Sequence, residues 1–461
     1  MPSRPHPIRR RRLRTATRVA ALAAVLVVAA GLLPWEDALA LVPAVSPFVA
    51  SASALATRAV GVLSLAAAPV LVLALLRRRW FCRWACPVGL VSETLGRLRS
   101  PRRGGSQTPP RGDGGSGHGA AGAPRLRSGQ APTRRASRGR GPRLARRPAV
   151  GQWMLLATLG GACLGYPMLV WLDPLGMVTA AVGAWFRPLG LVTVLATAPL
   201  AAVVAVSVLA PGAWCGRLCP LGGMQDLLAL AVRRLRGRTA ARAETPDAVP
   251  APVREAAPAG EDGRTVGRRF FLGVGAGGVA ALVTEVAGRG AEPPIRPPGA
   301  ADEKRFVGLC LRCGNCVRAC PSRILKPDLG QGGAAGFLAP RAVFDAGYCR
   351  EDCNACGRVC PSGAIARLSL QEKCQQTMGV AQVDLDKCLM AGGHHCEACI
   401  VVCPYEAVEQ VDPEGSYPAY PYPRVVVVKC VGCGACELEC PIMPPKAIRV
   451  RPDAGALADR V

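Results

Sequence analysis

Sixteen of the 22 cysteines in this chain fall into four runs in its C-terminal third. Cys310-x2-Cys313-x2-Cys316-x3-Cys320-Pro321 and Cys430-x2-Cys433-x2-Cys436-x3-Cys440-Pro441 follow the bacterial ferredoxin spacing without deviation. Cys349-x3-Cys353-x2-Cys356-x3-Cys360-Pro361 has one extra residue in its first gap. Cys388-x7-Cys396-x2-Cys399-x3-Cys403-Pro404 has a longer one, which holds His394 and His395. Three close cysteines wrap a tight loop around three irons of a cube. In two-cluster modules the fourth, before proline, crosses to the neighbouring cluster. Sixteen thiolates are enough for four [4Fe–4S] clusters; which motif pairs with which stays open. Zinc knuckles are paired Cys-x2-Cys turns, not triplets with a trailing Cys-Pro, and a disulfide framework leaves the cluster spacing unexplained. Small residues such as Gly314, Gly357 and Gly434 let backbone amides approach the sulfurs. Cys374 falls outside the spacing and reads as a bystander thiol, and the two histidines read as exposed loop polars. Paired catalytic carboxylates, a nucleophile motif and a nucleotide loop are all missing. The Gly-rich stretch 273–278 follows no strand. The chemistry is that of a wire, not of an active site.

A second set of thiols is duplicated. Trp80-Phe81-Cys82-Arg83-Trp84-Ala85-Cys86-Pro87-Val88-Gly89 is echoed by Ala213-Trp214-Cys215-Gly216-Arg217-Leu218-Cys219-Pro220-Leu221-Gly222. Each motif follows an apolar run, and each half also carries a Trp/Asp loop, Trp35-Glu36-Asp37 or Trp171-Leu172-Asp173. A parallel duplication relates the halves by a pseudo-axis along the membrane normal. The pairs Cys82/Cys86 and Cys215/Cys219 then face each other as four thiolates, suited to a redox centre such as an iron–sulfur cluster, or to tetrahedral zinc. Cys163, in a third apolar run, reads as a small buried apolar residue.

The elements that position these thiols follow from hydropathy. Four runs, about 16–33, 55–76, 152–171 and 189–209, are long enough to span a membrane of roughly 20 residues' thickness. The 461 residues include 57 Lys plus Arg against 31 Asp plus Glu, a net charge of +26. That basicity does not indicate nucleic acid, because the arginines cluster beside the apolar runs as in cytoplasmic loops. Positive-inside counting puts both ends of the four-span unit in the cytoplasm. None of the four histidines lies in an apolar run and no Cys-x-x-Cys-His occurs, so haem is excluded. Gly267-Arg268-Arg269-Phe270-Phe271-Leu272, followed by a mild apolar stretch, has the form of a twin-arginine export signal retained as an anchor. The chain therefore divides into a basic N-terminus (1–15), a first membrane repeat (16–99), a basic linker (100–148) and a second repeat (149–230). A polar linker (231–266), a twin-arginine segment or fifth span (267–290) and the ferredoxin-type domain (300–461) follow. The fold class is a polytopic α-helical membrane domain of four spans and a fifth, followed by an α+β bacterial-ferredoxin-type domain with four cluster motifs.

The four-span unit with two Cys-x3-Cys-Pro motifs resembles the NapH and MauN membrane iron–sulfur proteins. The twin-arginine segment with four ferredoxin motifs resembles the NapG and MauM family, so the chain resembles the two partners fused. It departs from the NapH type in having no cysteine between Cys219 and Cys310. The resemblance implies an electron-transfer protein of the inner membrane, its ferredoxin domain on the extracytoplasmic side, linking the quinone pool to an extracytoplasmic reductase. It also implies quinol docking near Trp171 and Asp173, with Trp35 and Asp37 at the same interface. Two alternatives stand beside this: a maturation factor for another periplasmic enzyme, and a thiol- or cluster-based redox sensor.

Overall fold

In a computed structural model of the chain, residues 7–77, 79–99, 150–186, 188, 190–243, 262–287, 293–413 and 418–452 are described. The expected linker 100–148 lies outside them, as does most of 231–266. The helix Pro220–Ala243 runs into the start of that second linker, and the helix Asp262–Ala287 begins before its end.

Two helices are long and apolar enough to cross a membrane, Arg12–Ala30 and Leu191–Leu209. A third crossing is available if the pair Asp37–Ala44 and Pro47–Thr57, bent by 99°, counts as one broken span. The expected second and third spans depart from continuous helices for local reasons. In the run 55–76, Arg58 turns left-handed at φ 55° and ends the helix Pro47–Thr57. The chain resumes as a 3-10 turn, Val62–Ala67, and a short helix, Ala68–Leu76. In the run 152–171 the helix Val150–Cys163 stops at Gly165, where φ is 82°. Tyr166 N then donates back to Gly161 O at 2.8 Å, and Pro167 keeps the residue before it from helical geometry. The segment after Trp171 is itself a helix, Pro174–Trp185, capped by Asp173. The expected fifth span is the helix Asp262–Ala287, with an apolar stretch over Phe270–Val283. Arg268 and Arg269 lie in its N-terminal third.

Glycines seat that helix. A side chain at Gly277 would start 2.0 Å from Ala157 O, and one at Gly160 would start 2.1 Å from Val274 O. Gly273 abuts Leu156 and Gly278 abuts Leu164, so Asp262–Ala287 and Val150–Cys163 run in the same direction at backbone contact. Small residues allow this approach where lipid supplies no hydrophobic drive between helices.

The C-terminal domain is two ferredoxin-like halves of short helices and three two-stranded antiparallel ladders. In the first half β1 (Leu325–Pro327) pairs with β2 (Pro340–Ala342). In the second, β3 (Val380–Val383) pairs with β6 (Ile448–Arg451), and β4 (Val408–Val411) with β5 (Tyr422–Val425). Its core, built on Phe306, Leu309, Ile324 and Val359, also takes in Ala162, Tyr166 and Ala281 of the membrane unit. The two units therefore share one apolar core.

Gly277→Leu should separate the helix pair and cost at least about 1–3 kcal/mol, the usual range for overpacking. Gly275 has nothing within 4 Å of a built side chain, so Gly275→Ala should be neutral. Thermal unfolding in detergent compares the two; equal midpoints would remove the glycine seam as a stabilising feature.

Candidate functional site

Each ferredoxin motif opens into a short helix that carries its third cysteine and lies between its second and fourth. Gly314 (φ 74°) and Gly434 (φ 85°) start those helices left-handed, a conformation glycine adopts without strain. A side chain on Gly434 would also overlap Phe344 at 2.1 Å. In the second and third motifs Asn354 and Glu397 hold that position with negative φ. Gly357 has a different duty, since a side chain there would start 2.3 Å from Ala366 O.

The cysteines assemble into four quartets, each closed by the last cysteine of another motif. Cys310, Cys313 and Cys316 line one cavity with Cys360. Cys349 and Cys356 each interact electrostatically with Cys353 and with Cys320. Cys388, Cys396 and Cys399 line a cavity with Cys440, and Cys430, Cys433 and Cys436 line another with Cys403. Crossing therefore joins the first motif to the second and the third to the fourth. Burial pushes the Cys313, Cys356, Cys399 and Cys433 thiols up to about 12, so a positive iron centre has to draw off their protons. Backbone amides already point at sulfur, Ile365 N to Cys360 Sγ at 3.4 Å and Ala407 N to Cys403 Sγ at 3.3 Å. Among the described residues, no three His, Cys, Asp or Glu side chains converge tightly enough for a single metal ion. Thiols spread around a cavity, with N–H donors to sulfur, fit a multi-iron cluster.

The duplicated thiols Cys82, Cys86, Cys215 and Cys219 also come together, at the arginine-rich end of the membrane unit. Cys86 and Cys219 are buried in one core with Phe81, Leu155, Leu175 and Trp214. The two halves are interlocked reciprocally. Gln225 Nε2 donates to Cys82 Sγ at 3.3 Å, and Ser92 Oγ lies 3.4 Å from Cys215 Sγ. Ser92 and Gln225 occupy the same place in each repeat, ten residues after its first cysteine. The residues that follow them are acids with parallel roles. Glu93 pairs with Arg18, which donates to Cys82 O; Asp226 pairs with Arg79, which donates to Cys215 O. Sequence reasoning passed over these residues, although the constant offset between the repeats marks them.

The remaining candidates separate. Trp171 lines an apolar groove and lies under the Arg312 guanidinium, 5.7 Å from ring centre to Cζ. Asp173 does not reach that groove. It is fully buried, accepts from Leu175 N and Gly176 N at 3.0 Å, and takes the Ser46 hydroxyl at 2.6 Å. It is a helix cap, and its oxygens are already occupied. Asp37 clamps the C-terminal domain through Arg367 at 2.7 Å, while Trp35 is exposed. Cys163 is exposed at the end of its helix rather than buried within a span, because that helix stops there. Cys374 contacts Glu351 O and the Tyr405 hydroxyl and joins no quartet. His394 and His395 are exposed.

The crossing has a direct test. Cys310→Ala and Cys360→Ala should each remove the same share of iron, and the double variant no more than either alone. Cys310→Ala with Cys349→Ala should remove twice that share. Iron analysis beside the cluster absorbance decides; additive losses for the 310/360 pair would break the assignment.

The family model for a 4Fe-4S binding domain matches residues 59–105 and 192–239, which hold the duplicated thiols. That for a 4Fe-4S dicluster domain matches 309–364, which hold the first two motifs. The ferredoxin-type protein NapG of Escherichia coli (strain K12) is 37% identical over 204 residues, covering 40% of this chain and 86% of NapG. The methylamine utilization ferredoxin-type protein MauM of Methylobacillus flagellatus is 37% identical over 168 residues, covering 34% of this chain and 68% of MauM. The ferredoxin-type protein NapF of Escherichia coli (strain K12) is 33% identical over 156 residues, covering 33% and 84%. No solved structure is significantly similar. Cysteine quartets, matched iron–sulfur domains and relatives covered over most of their length agree: the chain belongs to the NapG- and MauM-like ferredoxin-type iron–sulfur proteins.

Proposed function

We propose that this chain takes electrons from a membrane quinol and delivers them to a redox partner outside the cytoplasm. The observation that carries the reading is an apolar groove of about 730 Å³ along the helix Leu191–Leu209, within the size range of small-molecule sites. Its walls include Leu195, Pro199 and Val206. One end is formed by Trp214, beside Cys215. Leu311 and Arg312, inside the first ferredoxin loop, form the other. The Trp214 indole N–H is buried with no hydrogen-bond partner among the described residues.

The chemistry balances simply. A hydroquinone leaves as quinone, two electrons pass one at a time, and two protons go to water. When bound, [4Fe–4S] clusters supply one-electron sites at the sixteen ferredoxin cysteines, four in number by the quartets. The Cys82, Cys86, Cys215 and Cys219 set would hold a further metal or iron–sulfur centre. The protein's own part is to hold the thiols, aim amides at sulfur and keep water from the groove.

Charge and chain direction support the proposed sidedness. Arg14, Arg18, Arg79 and Arg83 cluster at the thiol end of the membrane unit. The C-terminal domain meets the other end, through Ala29, Leu39 and Ser53. Positive-inside counting assigns the arginine end to the cytoplasm. The helix Asp262–Ala287 then carries the chain across, with Arg268 and Arg269 on its cytoplasmic side.

Two measurements test this reading. Ala202→Trp, which fills the groove, should slow cluster reduction by a short-chain quinol about tenfold or more, the effect of losing about 1.4 kcal/mol of binding. Reduction by dithionite should be unchanged. A wild-type rate with quinol would move the site elsewhere. A C-terminal tag should be cut by protease in intact spheroplasts; protection until lysis would put the domain inside.

A further inference from the structure

We infer that the four cysteine quartets stand in a row whose order differs from the sequence: first, second, fourth, third. The site formed around Cys388, Cys396 and Cys399, not the one nearest the C-terminus, is then the end that meets a protein electron acceptor. This rests on the proposed function for the direction of flow, but the order itself rests on geometry alone.

The first quartet is the one against the membrane unit. Ala180, Gly183 and Val192 of that unit line the same cavity as Cys310, Cys313, Cys316 and Cys360. Leu311 and Cys313 share a core cluster with Val49, Ala52 and Val170. The second quartet follows, because Cys320 and Cys360 are exchanged between the two. The next step is to the fourth. Cys349 N donates to Cys433 O at 2.8 Å, joining the cysteine loops of the second and fourth motifs. Phe344, five residues before the second motif's first cysteine and in the interior of the first half, packs against Gly434. The third quartet is reached last, through the exchange of Cys403 and Cys440 and a core that holds Cys399, Cys436 and Cys440 together. Its cavity is lined by residues of the second half only, from Val383 to Ile448.

The surface around this last quartet suits a protein acceptor better than a second quinone. The long first gap places Gly392, Gly393, His394 and His395 at the surface beside Cys396, with Glu397 next to it. These residues are exposed, and Tyr420, Val401 and Met443, also exposed, stand around the same quartet, a mixed polar and apolar surface of the kind a protein partner covers. The inserted residues, which have no counterpart in the other three motifs, thus acquire a use as the contact loop over the terminal site.

The test uses the full chain in detergent, with iron content and electron paramagnetic resonance as readouts. Reduced neighbours broaden each other's signals. In Cys433→Ala, which empties the fourth quartet, the third should lose its broadening while the first and second keep theirs. In Cys396→Ala, which empties the third, the first, second and fourth should remain coupled to one another. Reduction of oxidised cytochrome c, a protein too large to approach a buried quartet, should fall at least tenfold in Cys396→Ala. Redox titration of the unaltered protein gives the same order without a variant, as successive broadening of neighbouring signals. Coupling of the third quartet to the first or second, or undiminished cytochrome c reduction in Cys396→Ala, would overturn the proposal. Clusters that couple in this order but ignore quinol would overturn the proposed donor and leave the row standing. A chain without iron would remove both.

Discussion

The arrangement depends on one arginine. Arg318 lies between Cys316 and Cys320 and reaches the end of the first membrane helix, donating to Ala29 O at 2.5 Å and Ala30 O at 3.0 Å. Those carbonyls have no partner within the helix, and they form the negative end of its dipole. Gly31, left-handed at φ 74°, turns the chain away and leaves them open to the guanidinium. Phe186 stacks on the same guanidinium at 5.5 Å, and Asn315 Nδ2 adds a bond to Leu39 O at 2.8 Å. A cation, a helix end and an aromatic face thus seat the first cysteine loop on the membrane unit. They act with the shared apolar core and the Asp37–Arg367 pair in fixing the distance of the nearest quartet from the membrane unit.

The same junction shows how charges can hold two units together without filling a site. Asp37 sits in a Trp/Asp loop, as Asp173 does in the other repeat, yet neither is free for proton chemistry. One is drawn to Arg367 across the junction, and the other caps the helix Pro174–Trp185. Duplication preserved the residue type while the fold assigned each copy a structural task. The thiol motifs diverged far less. Their cross-repeat partners Ser92 and Gln225 differ in kind, but both reach the sulfur of the opposite half. That reciprocity is what a pseudo-twofold centre requires, since each half must be completed by the other.

Much of this was legible in the residues. Cysteine spacing is set by the cluster itself, so sixteen ligand candidates and the crossing of the pre-proline cysteines could be read from short intervals. The repeat of Cys-x3-Cys-Pro was equally plain. The span pattern was read less well, because hydropathy does not register a left-handed Arg58 or the Gly165-Tyr166-Pro167 turn, and an apolar run broken there still averages as a span. Asp173 looked available because its sequence context is an interfacial loop; only the buried Ser46 hydroxyl and two amides show that it is committed. The row of quartets could not be read at all. It turns on two long-range contacts, Cys349 to Cys433 and Phe344 to Gly434, between motifs that are not neighbours in the chain.

The groove and the first quartet have one wall in common, and this constrains how they can work together. Leu311 and Arg312 lie between Cys310 and Cys313, and they close the groove from above. Arg312 is itself fixed by Phe337 O at 2.8 Å and Ala335 O at 2.9 Å, so that wall is stiff and the distance to the cysteine loop does not depend on a flexible side chain. A ring held in the groove would be separated from the first quartet only by this loop, with no water layer needed between them. Trp214 stands beside the duplicated thiols at the opposite end of the same groove. The helix Leu191–Leu209, about 28 Å long at 1.5 Å per residue, thereby sets the span between the two thiol sites. A lipid-soluble carrier lying along it would be in reach of both, whereas a water-soluble donor would meet mostly apolar walls there.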